Sequence, residues 1–181
     1  MQTRTRKSNI KFYLLVSIFV VPMIIGWVLF HYHSYFVFKT TNHGTLLTPP
    51  VSIENIVLNS GAEKKWQIVF LAKDCEETET ENMMHTLHQI QKALGKNSDR
   101  SSLILGTQKL CNADYSSYFH KLSVEQYGAL KSLLQTKNLQ TSDSIYLVDP
   151  IGNVFMYYSV ASDPMFILKD LNHVLEVSQI G

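Results

Sequence analysis

The sequence predicts an α/β domain with the element order β-α-β-α-β-β-α, carried behind one N-terminal apolar helix of membrane-spanning length. Three observations lead there. Residues 12–38 carry no charged side chain; two short continuous apolar runs, residues 66–72 (WQIVFLA) and 101–106 (SSLILG), flank a stretch of helical periodicity; and a Pro-Gly turn joins two β-rich runs ahead of a closing amphipathic segment. With 181 residues, 45% hydrophobic and 17% charged, the chain has room for one ordinary domain plus a membrane element, and its composition excludes a disordered or fibrous class. A net charge of +1 supplies no global field to draw in nucleic acid, so partners are recognised by local surfaces. The two cysteines, Cys75 and Cys111, are too few for a disulfide scaffold and lack the paired spacing of a structural zinc site.

Residues 12–30 are apolar apart from Ser17, long enough to cross a bilayer at about 1.5 Å per residue. Arg4, Arg6, Lys7 and Lys11 precede the run, whereas only Lys39 follows it before Lys64, so the positive-inside bias places the N-terminus in the cytoplasm. Tyr13 and Trp27, with Tyr32 and Tyr35 beyond, suit the two membrane interfaces, and Pro22 predicts a kink. Residues 31–41 are bulky and aromatic with no small-x-small pattern, which favours an uncleaved anchor over a secretory signal. Residues 40–50 (TTNHGTLLTPP) have no helical periodicity and read as linker. The expected division is a basic tail at 1–11, a transmembrane anchor at 12–36, an extended linker at 37–60 and the folded domain at 61–181.

Within the domain, the runs at 66–72 and 101–106 are continuous rather than alternating, as expected of parallel strands covered on both faces. Between them Met83, Met84, Leu87, Ile90 and Leu94 recur at helical spacing, with acid at 76–81 and Lys92 and Gly95 at the far end. Ser123 and Gln126 form a capping box opening a second helix with Val124, Tyr127, Leu130, Leu133 and Leu134 as its apolar positions. Residues 144–148 (SIYLV) and 154–158 (VFMYY) are joined through 149–153 (DPIGN), whose Pro and Gly suit a type I turn in a hairpin. Asp163 is a good N-cap with Pro164 at the first helical position, and Phe166, Ile167, Leu171, Val174 and Leu175 give a stripe ending near Gly181. Two parallel strands, an antiparallel hairpin and a closing helix in this order make a thioredoxin-like domain. In such a domain the chemistry lies where the first core strand turns into its helix, here residues 73–79 (KDCEETE).

The chain resembles the thioredoxin-like copper metallochaperones of the Sco/SenC type, and still more the short single-span membrane proteins encoded with bacterial cytochrome c oxidase genes. The resemblance is carried by Asn42-His43-Gly44 with Leu46, Leu47 and Pro49, the stretch ending at Cys75, residues 89–96 (QIQKALGK), residues 147–153 (LVDPIGN) and residues 163–181 (DPMFILKDLNHVLEVSQIG). A Sco-type site holds copper with two thiolates in a Cys-x-x-x-Cys loop and a distant histidine. Cys75 matches the first cysteine, Glu79 stands at the second, and Thr141 falls where the histidine is expected. On this alignment the site is degenerate, and the resemblance carries over no metal, no cofactor and no catalytic residue.

The acids around Cys75 oppose thiolate formation, and no resolving cysteine lies at the usual spacing. One reading leaves Cys75 a free thiol. Another pairs it with Cys111, because parallel neighbours end on the same sheet edge and an outer compartment permits the bond. His85 and His88 have a spacing that grips a metal, but a solvated helix face accounts for them, as placement in interface and linker accounts for His31, His33 and His43. His120 reads only as loop or short helix.

The resemblance implies a non-enzymatic accessory protein of the bacterial inner (plasma) membrane, with a periplasmic domain that assists cytochrome c oxidase assembly by contacting oxidase subunits or other assembly factors. The alternatives are a copper metallochaperone with a rearranged site at Cys75, and a thiol-disulfide oxidoreductase using Cys75.

Overall fold

The structure, a computed structural model, describes residues 3–32, 42–53, 56, 64–75, 78–108 and 118–178. The chain divides into two compact units, Met1–Thr41 and Asn42–Gly181. In the first, helix α1 runs over Thr3–His31 and contains Pro22. Within its segment Ile10–His31 an 18-residue stretch has a mean hydropathy of 2.5, and the segment is long and apolar enough to cross a membrane. Large apolar side chains, Phe19, Met23 and Phe30 among them, face outward on every side, as a lipid-facing helix requires and an amphipathic core helix does not. The Ser17 hydroxyl satisfies itself on the Leu14 carbonyl at 2.8 Å, and the Trp27 and His31 rings stack at 5.4 Å.

In the second unit the described residues form a six-stranded sheet. Its strands are β1 (Thr45–Ser52), β2 (Trp66–Ala72), β3 (Ser101–Thr107), β4 (Phe119–Lys121), β5 (Ser144–Val148) and β6 (Asn153–Ser159), in spatial order β1-β6-β5-β2-β3-β4. Helices α2 (Thr78–Ala93) and α4 (Pro164–Val177) cover one face, and α3 (Val124–Thr136) covers the other. The fold is thioredoxin-like, with β2 and β3 parallel at its centre and the hairpin β5–β6 antiparallel. Every residue of β2 and β3 is buried, which is why their runs do not alternate. Ile68 and Phe70 face the α2/α4 layer with Met84, Leu87, Ile167 and Leu171, while Val69 and Leu71 face α3 through Tyr127, Leu130 and Leu134.

Local signals set the element ends. The capping box closes in both directions, Ser123 Oγ accepting from Gln126 N–H at 3.1 Å and Gln126 Oε1 accepting from Ser123 N–H at 2.9 Å. Asp163 caps α4 by accepting from Met165 N–H at 2.9 Å. In the hairpin turn Gly152, at φ 93°, donates to the Asp149 carbonyl at 3.0 Å, and the Asp149 carboxylate accepts from the N–H groups of Ile151 and Asn153.

Four expectations are corrected. Part of the stretch expected as linker over 37–60 is strand: β1 pairs antiparallel with β6, Leu46 opposite Met156 and Val51 opposite Val154. Pro49 and Pro50 are tolerated there because β1 is an edge strand and the register shifts between Leu46 and Val51. Val124, at the first helical position, is 65% exposed, so the buried stripe of α3 begins at Tyr127. His120 lies on β4, opposite Ile104. His88 is half-buried rather than solvated: its ring stacks on Tyr118 at 4.0 Å, and its Nδ1 is buried with no partner among the described residues. Cys111, His33 and Tyr35 lie outside the described residues.

Candidate functional site

The turn from β2 into α2 places Cys75 in the α2/α4 core at 2% exposure, disulfide-bonded and therefore no free thiol. The reading of Cys75 as a free thiol is thereby replaced. Above the C-terminal end of β2 opens a cleft of about 590 Å³. Glu79 and Thr80 of α2 form one wall, Gln140 and Asp143 of the loop before β5 form the other, and Phe70, Met83 and Val160 supply apolar lining. Glu79 therefore faces the same cleft as the loop that carries Thr141, but the lining on that side comes from Gln140, just before Thr141, and Asp143, two residues after it. Cys75 does not line it.

The loop wall is held in place. Gln140 accepts hydrogen bonds from both Tyr146 and Tyr157, through its carbonyl and its amide oxygen, and its amide nitrogen donates to the Ser142 carbonyl at 3.0 Å. Burial pushes the Tyr146 phenol up to about 12, so it remains a donor throughout the physiological range. Asp143 has φ 49°, a left-handed conformation that aspartate tolerates better than most residues, and its carboxylate accepts from Lys73 N–H at 3.2 Å.

Copper does not fit this donor set. A disulfide sulfur is not a thiolate, the oxygen of Glu79 is hard where a second soft sulfur is needed, and Thr141 has no imidazole. Among the described residues no group of three or more His, Cys, Asp or Glu side chains converges as metal ligands would.

A second polar cluster was not foreseen from the sequence. Asp170 of α4 is 5% exposed, and its Oδ2 accepts from the N–H groups of His43 at 2.7 Å and Gly44 at 2.9 Å and from the Tyr158 hydroxyl at 2.6 Å. Oδ1 accepts from His43 Nδ1 at 2.9 Å, and the His43 ring stacks on Phe166 at 4.5 Å. Burial works to raise the Asp170 carboxyl, but the hydrogen bonds from His43, Tyr158 and the backbone outweigh it and hold it below its usual value. Burial, reinforced by hydrogen bonding to Asp170, raises the Tyr158 phenol. The cluster clips the start of the second unit to α4. The signal in the sequence was a lone acid in an apolar helical stripe, between Ile167 and Leu171.

The fold and the site together define a thioredoxin-like protein whose usual reactive position holds a bonded, buried cysteine. Over residues 66–178 the chain matches the family model described as transmembrane-like, thioredoxin-like, C-terminal domain, and it belongs to that family. No curated protein sequence matches it. Among solved structures, yeast Sco1 with copper bound is 12% identical, with a TM-score of 0.50 over 64% of this chain and 81% of that one. Arabidopsis thaliana ScoI with copper bound is 12% identical, with a TM-score of 0.47 over 65% and 88%. A thiol:disulfide interchange protein from Bacteroides sp. is 11% identical, with a TM-score of 0.46 over 75% and 91%. At 12% identity the likeness to yeast Sco1 is a likeness of fold.

Proposed function

We propose that this chain is a membrane-anchored thioredoxin-like accessory protein that acts through protein contacts in cytochrome c oxidase assembly. The observation that carries the reading is the state of the site. Cys75 is bonded and buried, and the cleft at the C-terminal end of β2 is lined by Glu79 and Asp143, whereas copper or thiol chemistry needs sulfur and imidazole. The link to oxidase assembly is supported by the resemblance of residues 89–96, 147–153 and 163–181 to Sco-type and oxidase-linked membrane proteins. Residues 12–36 serve as the anchor and 1–11 as a cytoplasmic tail, which puts the Cys75 domain in the periplasm of a bacterial inner membrane. That compartment is oxidising, and Cys111, the chain's other cysteine, is the partner we assign to Cys75.

Crosslinking in native membranes, followed by identification of the attached protein, tests the reading. Oxidase subunits or their assembly factors are expected. Reduction of a test disulfide by the wild type but not by Cys75→Ser would replace it with an oxidoreductase. Protease treatment of spheroplasts should cut the Cys75 domain; a protected domain would overturn the orientation. Alkylation in denaturant should label the cysteines only after reduction.

A further inference from the structure

We propose that the cleft between α2 and the loop before β5 is a docking site for a basic segment of a partner protein, receiving an arginine or lysine side chain between Glu79 and Asp143. The inference rests on the reading of the chain as a protein-contact module and names what the contact recognises.

Two carboxylates face the cleft from different elements, Glu79 from α2 and Asp143 from the opposing loop, and no cation is among the described residues that line it. Acids at the start of α2 complement its helix dipole, which accounts for the presence of Glu79 and Glu81. The dipole does not account for Asp143, which is not on the helix. Between Lys73 and Lys92 the sequence has no lysine or arginine, so the turns of α2 that line the cleft bring no such cation to it. Charge of one sign on both walls repels itself and favours an incoming cation.

The rest of the lining suits the stem of such a side chain. Phe70, Met83 and Val160 offer apolar contact to methylenes, and Thr80, only 4% exposed, and Gln140 contribute polar groups beside them. The side chain of Gln140 is fixed by its bonds to Tyr157 and Ser142, so that wall is in place before a partner arrives.

The test uses the full chain in nanodiscs and two fluorescein-labelled decapeptides. One has a central arginine flanked by leucine and alanine; the other has citrulline, of the same shape without the charge. Anisotropy titration should show the arginine peptide binding about tenfold more tightly, the scale of a partly desolvated charge pair. Glu79→Gln and Asp143→Asn should each shrink that ratio and together abolish it, while Glu125→Gln on the exposed face of α3 leaves it unchanged. Asp143→Asn keeps an acceptor for Lys73 N–H; should it still fail to fold, the exposed Glu79→Gln carries the test alone. Equal affinity for the two peptides, saturation by neither, or a ratio indifferent to Glu79→Gln would overturn the proposal. A crosslinked neighbour found in native membranes alongside any of those results would leave the contact-module reading standing and remove only the cleft.

Discussion

Tyr158 on β6 and Asp170 on α4 are joined by a hydrogen bond of 2.6 Å, and the accepting oxygen also takes the backbone N–H groups of His43 and Gly44. One carboxylate thus ties together the start of the second unit, a sheet strand and the last helix. Its burial is tolerable because four donors converge on it.

Replacement of that carboxylate separates its charge from its geometry. Asp170→Ala strands the donors and should cost about 3–5 kcal/mol, as loss of one partner of a buried charged network does. Asp170→Asn keeps an oxygen for the shared position and turns its amide toward His43 Nδ1, which then accepts; a cost of about 1–2 kcal/mol is expected. Urea denaturation of the two variants checks the order, and equal losses would refute it.

Gly44 lies against the same assembly. A Cβ there would meet Tyr158 Cζ at 2.5 Å and Met156 Cγ at 2.8 Å, so Gly44→Ala must push the Tyr158 ring and its hydroxyl away from Asp170. The expected loss is about 1–3 kcal/mol. In an Asp170→Ala background the loss should be smaller, because the hydroxyl no longer has a bond to lose. A double-mutant cycle measures the coupling, and additivity would disprove it.

The titrating groups give stability two acid limbs and an alkaline one. Asp170 is held below its usual 3.8, so its contribution is complete above that pH and is lost as pH falls toward the folded-state value. Burial, then Lys92 and His85, lower the His88 pKa from 6.5; the unfolded chain therefore protonates first and stability declines as pH falls through that region. Tyr146, pushed up to about 12 from 10.0, makes the unfolded state the easier one to ionise, so stability falls above pH 10.0. Melting temperature against pH should lose its most acidic limb in Asp170→Asn and its mildly acidic limb in His88→Gln.

Gln67 is 1% exposed, and among the described residues neither of its amide atoms nor Ser102 Oγ on the paired strand has a hydrogen-bond partner. Buried polar atoms without partners destabilise. Gln67→Met and Ser102→Ala should therefore each stabilise the domain by about 1 kcal/mol. A drop in melting temperature for both would show that these groups are satisfied in solution.

Much of the fold was legible because its signals are local. The continuous runs of β2 and β3, the capping box at Ser123, the Asp149 turn and the Asp163 cap depend on residues within a few positions of each other. The strand at 45–52 was not legible. TLLTPPVS has the composition of a linker, and only the free edge of β6 makes it a strand.

By itself the sequence determined the apolar helix at the N-terminus and the thioredoxin-like order of elements. Tertiary structure alone decided that His43 meets Asp170 across 127 positions, that Glu79 and Asp143 face one cleft, and that Gln67 is sealed without a partner among the described residues. The reason is the range of the interactions. Periodicity, caps and turns are satisfied by near neighbours in the chain, whereas a buried carboxylate or a cleft exists only once distant segments have packed together.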